Sequence, residues 1–163
     1  VEAFVRAAAE RGVPFLGVSF GHQLAVHAFH GTVVNDPALS ELGISRVQLT
    51  GEGQGDPLFR GLPERFPAIA GHNDSVEAPP PDFELLAGGD RCPIQALRLR
   101  DSVFYTLQFH PELDEDDLRL RIQHYRDRYV SSPAETDAAL AELEPTPDAN
   151  SLVMRFLGLV RGG

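Results

Sequence analysis

Three residues in this chain could combine into a nucleophilic centre: Ser19, His110 and Glu112. Ser19 sits in Gly17-Val18-Ser19-Phe20-Gly21, a G-x-S-x-G pattern that holds a side chain on a sharp turn between a strand and a helix. His110 and Glu112 lie two residues apart in "QFHPE". In such a pair a carboxylate can orient an imidazole, and the imidazole can take the proton of a nucleophile. Each piece alone is weak. A lone histidine after a strand is more often structural, and G-x-S-x-G recurs by chance in a glycine-rich chain. The reading rests on all three in the order nucleophile, His, Glu.

The elements around these residues suit that chemistry. "VEAFVRAAAER" (1–11) reads as a helix rich in Ala, Glu and Arg, broken by Gly12-Val13-Pro14. "FLGVS" is a short apolar run, as a buried strand would be. From His22 to His30, Leu24, Ala25, Ala28 and Phe29 recur at helical spacing. Strand, tight turn and helix are thus expected around Ser19, at the carboxyl end of the strand. The middle, 32–107, reads as strands with turns. "ISRVQLT" alternates before a glycine-rich turn, "GEGQGDP", and "EAPPPDF" is a proline-stiffened loop. "PIQALRL" and "SVFYTLQF", separated by Arg100-Asp101, suggest a hairpin. After His110, "LRLRIQHYRDRYV" (118–130) is an expected helix behind an acidic first turn. "SSPAETDAALAELEPTPDAN" (131–150) reads as a loop with a short helix, and "SLVMRFLGLV" (151–160) as an apolar terminal helix.

Composition narrows the class. The 163 residues carry a formal net charge of −10 and 42% hydrophobic residues. That is an ordinary globular composition. The charge argues against nucleic-acid binding, which needs clustered cations. No run reaches the ~20 apolar residues that span a bilayer, and no signal peptide is visible, so no membrane role is expected. All 14 basic residues are Arg. Cys92 has no partner for a disulfide within the chain, which fits a cytoplasmic location. His22, His27 and His30 invite a metal reading, but no carboxylate or cysteine falls at familiar ligand spacing and HExxH is absent. Neither metal nor cofactor is expected. His72 is read as a loop residue near the pocket and Cys92 as a passive thiol.

With "GVSFGHQ", "GHNDSV" and "QFHPE" together, the chain resembles the class I, triad-type glutamine amidotransferases. Their nucleophile motif, G-x-C-x-G-x-Q, is matched by Gly17 to Gln23, with Ser19 where the family has Cys. Their H-P-E motif is His110-Pro111-Glu112. "GHNDSV", "HAFHGTVV" and "DPLFRGLP" are similar to segments of the subgroup nearest to GMP synthetase. The resemblance covers nearly the whole chain. It implies an α/β, flavodoxin-like fold: a mostly parallel sheet with helices on both faces and a small antiparallel extension. Residues 1–163 would form one amidotransferase-like domain lacking the family's N-terminal βα units, among them the loop that gives the second oxyanion donor.

The resemblance also implies the reaction. The side-chain amide of glutamine would be attacked, a γ-glutamyl enzyme formed, ammonia released, and glutamate freed by water. His110 would be general base and acid, and Glu112 its orienting carboxylate. Phe20 N–H would donate to the oxyanion, and Gln23 with Gly71, His72 and Asn73 would hold the substrate. An ammonia-accepting synthetase domain or subunit would be the partner. A sheet edge left bare by the absent units would be exposed or covered by self-association, giving a homo-oligomer. The serine admits three origins: an introduced substitution, a natural inactive homologue that binds glutamine or a partner, or a working serine variant. An α/β-hydrolase-type serine esterase is the reading from another class, but Gln23 and "QFHPE" have no role in it and an acid usually precedes the His there.

Overall fold

The computed structural model describes residues 1–124 and 133–162. The elements run α1 (Glu2–Glu10), β1 (Phe15–Val18), α2 (Phe20–Ala28), β2 (Thr32–Asn35), β3 (Glu41–Leu49), α3 (Gly51–Gly55), β4 (Arg65–His72), β5 (Asp74–Ala78), β6 (Phe83–Gly89), β7 (Ala96–Leu99), β8 (Phe104–Leu107), α4 (Glu115–His124), α5 (Pro133–Ala141) and α6 (Pro147–Gly162). Residues 125–130 of the expected helix after His110 lie outside the described residues. None of the described helices is long and apolar enough to cross a membrane.

A six-stranded sheet has the order β1-β8-β7-β6-β3-β4, and β2 pairs with β5 in a separate two-stranded ribbon. The fold is α/β, with side chains alternating along the sheet to feed two cores. On β8, Phe104 faces a cluster with Val5 of α1 and Ala25, Val26 and Ala28 of α2. Its neighbour Tyr105 faces the other cluster, with Ala149, Leu152 and Phe156 of α6. Each face of the sheet therefore carries helices, as a flavodoxin-like layering requires. Phe104 stacks on Phe15 with ring centroids 4.3 Å apart, and Phe29 and Phe83 meet it edge-on. This aromatic group ties the start of β1 to the end of α2 and to the starts of β6 and β8.

The sheet is less parallel than the sequence led us to expect. Among the described residues only β1 and β8 run parallel; the pairs β8–β7, β7–β6, β6–β3 and β3–β4 are antiparallel. Between β7 and β8 the reason is connection length. The turn from β7 to β8 is only four residues, 100–103, and parallel pairing needs a crossover of a dozen residues or more. The antiparallel extension is thus most of the described sheet. The expected hairpin around Arg100-Asp101 is present, with Asp101 at φ 52°.

"GEGQG" is helical rather than a simple turn. Thr50 Oγ1 accepts from Gly53 N at 3.0 Å and caps α3, while donating to Leu85 O at 2.8 Å. Gly53 lies against Leu86, whose carbonyl oxygen would be 1.9 Å from an added Cβ, so the helix sits where only glycine fits.

Candidate active site

Ser19 stands between β1 and α2 with φ 50° and ψ −103°. Positive φ is rare for a residue with a side chain and typically costs of order 1–3 kcal/mol, so the surroundings must enforce it. Two constraints do so. Ser19 N donates to Leu107 O at 2.8 Å, locking the turn to the end of β8. Gly17 packs so tightly against the first turn of α2 that an added Cβ would lie 2.7 Å from Gly21 O. Phe20, the first residue of α2, has its ring 71% exposed above the turn.

The β1–β8 register, Gly17 opposite Thr106 and Val18 opposite Leu107, puts Ser19 and the segment that follows β8 at the same carboxyl end of adjacent parallel strands. That segment carries His110. Its backbone N–H donates to Ile69 O of β4 at 2.7 Å, and its imidazole is buried. His110 Nδ1 lies 2.7 Å from Glu112 Oε1, which leaves Nε2 as the nitrogen available to a reactant. Burial raises the Glu112 carboxyl, but the hydrogen bond and charge of His110, with a contribution from Arg121, hold it below its ordinary value. Ser19 Oγ makes no hydrogen bond to His110.

Gln23 is one turn further along α2. Its Nε2 donates to Asp74 O at 2.7 Å and approaches Gln108 Oε1 at 3.4 Å. Gly71 and His110 line one small cavity together with Leu42 and Leu118. The structure thus draws Ser19, Gln23, Gly71, His110 and Glu112 toward one end of the sheet. The His72 side chain meets the same Asp74 carbonyl as Gln23. His72 is not a loop residue but the last of β4, buried, with Nε2 3.1 Å from Glu41 Oε2 and Nδ1 3.1 Å from Asp74 O. Asn73 lines a cavity of about 410 Å³ with Glu41, His72 and Arg91.

Two side chains near the site escaped the sequence reading. Gln108 sits inside the quoted "QFHPE", but nothing in that string shows that it meets Gln23. Thr106 Oγ1 lies 2.8 Å from His22 Nδ1. Burial, helped by the charge of His72, lowers His22 to a pKa of about 3, so it is neutral at ordinary pH. The other two histidines of that stretch do not join it. His27 Nδ1 meets Glu2 at 3.0 Å on the surface, and His30 lies beyond α2 with φ 67°.

The family described as glutamine amidotransferase class-I matches residues 2–122. A subunit of the glutamine-hydrolysing GMP synthase of Pyrococcus abyssi is 36% identical over 104 residues, which are 64% of this chain and 53% of that one. The GMP synthase of Clostridium novyi is 35% identical over 105 residues, 64% of this chain and 20% of the relative. The chain therefore spans about half the length of the first of these relatives, and a fifth of the second. Among solved structures, a glutamine amidotransferase from Thermotoga maritima superposes with a TM-score of 0.74 at 19% identity, covering 96% of this chain and 66% of the other. One from Methylobacillus flagellatus gives 0.74 at 21% identity, covering 96% and 67%. At these identities the two structures speak for the fold.

Proposed function

The chain belongs to the class-I glutamine amidotransferases, and from that premise we propose that it binds glutamine at Ser19 and carries a hydrolytic site slowed by the serine. The observation behind this reading is the strained Ser19 backbone at the end of β1, beside the strand that leads to the His110–Glu112 pair. In the proposed cycle His110 Nε2 takes the Ser19 proton as Oγ attacks the amide carbon. The oxyanion is met by the Phe20 N–H at the start of α2. His110 then gives its proton to the leaving nitrogen, ammonia departs, and a γ-glutamyl ester remains on Ser19. Water, deprotonated by His110, releases glutamate and restores the hydroxyl. Gln23, fixed by Asp74 O, holds the substrate, and the backbone of Gly71, His72 and Asn73 flanks its amino-acid end.

Slow turnover follows from the nucleophile. A thiol near pKa 8.5 is readily ionised beside an imidazole, whereas a hydroxyl must lose its proton during attack. A pocket shaped for sulfur also misplaces oxygen, and ~1 Å of misplacement can cost ~10²-fold. The serine also supports a second reading, in which the chain binds glutamine or a partner without turnover. The proposed partner is an ammonia-accepting synthetase, as a separate subunit or a linked domain. Support comes from the relative named as one subunit of a glutamine-hydrolysing GMP synthase. A cytoplasmic setting suits the lone free thiol.

Ammonia release from glutamine, measured for this chain and for Ser19→Cys, tests the reading. We expect little or none from the serine form and a clear gain from the cysteine form. Brisk turnover by the serine form would overturn the impairment. A folded Ser19→Cys protein that neither binds nor hydrolyses glutamine would overturn the site.

A further inference from the structure

Glu41, His72 and Cys92 come from β3, β4 and the loop before β7, and their ligand atoms all lie within 4.8 Å of one another. His72 and Cys92 are buried, and the Glu41 side chain is only 10% exposed. The ring of His72 is held from both sides: Nδ1 lies 3.1 Å from Asp74 O and 3.3 Å from Ser75 Oγ, and Nε2 faces Glu41 Oε2 at 3.1 Å.

Cys92 Sγ lies beside this pair and donates to Ile94 O at 3.6 Å. A metal ion engages all three groups. Nitrogen, oxygen and sulfur donors together select a zinc-like cation, bound at about 2.0–2.3 Å, which sets donors about 3.3–3.7 Å apart. From separations of up to 4.8 Å the cluster reaches that spacing by contracting roughly 1.5 Å or less. Glu41 is already oriented, as a metal-bound carboxylate needs: Gln95 Nε2 donates to Oε2 at 2.6 Å and Ser45 Oγ to Oε1 at 2.8 Å. The Asp74 carbonyl on His72 Nδ1 is the usual outer partner of a ligating imidazole. Glu41 and His72 also line the cavity of about 410 Å³, which gives an ion a way in. Arg91, on the same wall, is committed to the carbonyls of Pro37 and Ala38.

We propose that Glu41, His72 and Cys92 form a binding site for a divalent cation of the zinc class, entered from this cavity and separate from the Ser19 centre. On binding, the Cys92 S–H releases its proton to solvent and the thiolate becomes a ligand; no oxidation is involved. The inference does not depend on the hydrolytic reading of Ser19.

The test uses the whole chain, stripped with a chelator and titrated with Co²⁺, then with Zn²⁺ against a chromophoric chelator. Cys92 is the one cysteine of the chain, so any thiolate-to-cobalt charge-transfer band reports that residue without a variant. We expect one equivalent bound, with the band present and removed by Zn²⁺. Cys92→Ser should abolish the band, and Gln95→Ala should weaken zinc binding roughly 10–100-fold. Cobalt bound with no such band in the native chain would place the metal on surface histidines and overturn the site, as would no binding at all. Zinc affinity unchanged in a folded Cys92→Ser protein would overturn it too.

Discussion

Gly17 and Gly21 bracket the same turn, yet the structure demands opposite outcomes when each becomes alanine. At Gly17 an added Cβ would lie 2.7 Å from Gly21 O, 2.8 Å from Phe15 Cε1 and 2.9 Å from Gly21 C. Two of these three atoms are backbone of the first turn of α2 and have no rotamer through which to yield. The strand and helix must therefore separate at the point where Ser19 is held at φ 50°. Overpacking of this kind costs about 1–3 kcal/mol. For a chain of this size that is a fall in Tm of roughly 2–12 °C. At Gly21 nothing lies within 4 Å of the added carbon and φ is not positive, so alanine meets no obstacle. Helix propensity then favours alanine by up to about 1 kcal/mol. Urea unfolding of the native chain, Gly17→Ala and Gly21→Ala, followed by circular dichroism, measures both. A Gly17→Ala protein as stable as the native chain would show that the turn is looser than described. A Gly21→Ala loss as large as that of Gly17→Ala would show that the two glycines do not act through contact with each other's backbone.

His22 should make the fold acid-sensitive. Its folded pKa of about 3 lies below the unfolded 6.5, so between these values the unfolded chain binds a proton that the folded chain refuses, and stability falls as pH drops through that window. The slope from this one group is at most about 1.4 kcal/mol per pH unit. His22→Gln should flatten it in urea titrations between pH 7 and 4, and an unchanged slope would remove His22 as its source. In a Ser19→Cys background, Glu112→Gln should lower kcat for glutamine hydrolysis roughly 10²–10⁴-fold, because the amide no longer holds the His110 tautomer or steadies its charge; a loss under about threefold would deny Glu112 an orienting role. Among the described residues β1 has a strand partner on one side only, so light scattering over a range of concentrations should show self-association; a chain that stays monomeric at high concentration would show that this edge is covered.

The turn at Ser19 and the His110–Glu112 pair were legible from the sequence because each is local. A G-x-S-x-G string specifies its own turn, and a His and Glu two residues apart need only a short chain segment to meet, as the 2.7 Å contact of His110 and Glu112 shows. The family resemblance rested on the same short strings. The α/β layering was what that resemblance implied. What the sequence left undecided was pairing between distant segments, since strand order and direction depend on which runs meet in space. Most of the described sheet is antiparallel where a mostly parallel one was expected. The same limit hid the contact of Gln23 with Gln108, 85 residues away. It also hid the contact of the His72 side chain with Glu41, beside Cys92. No spacing rule joins Glu41, His72 and Cys92, because their neighbourhood is created by the β3–β4 register, which sets Glu41 opposite His72, and by the loop that carries Cys92 back toward that strand end.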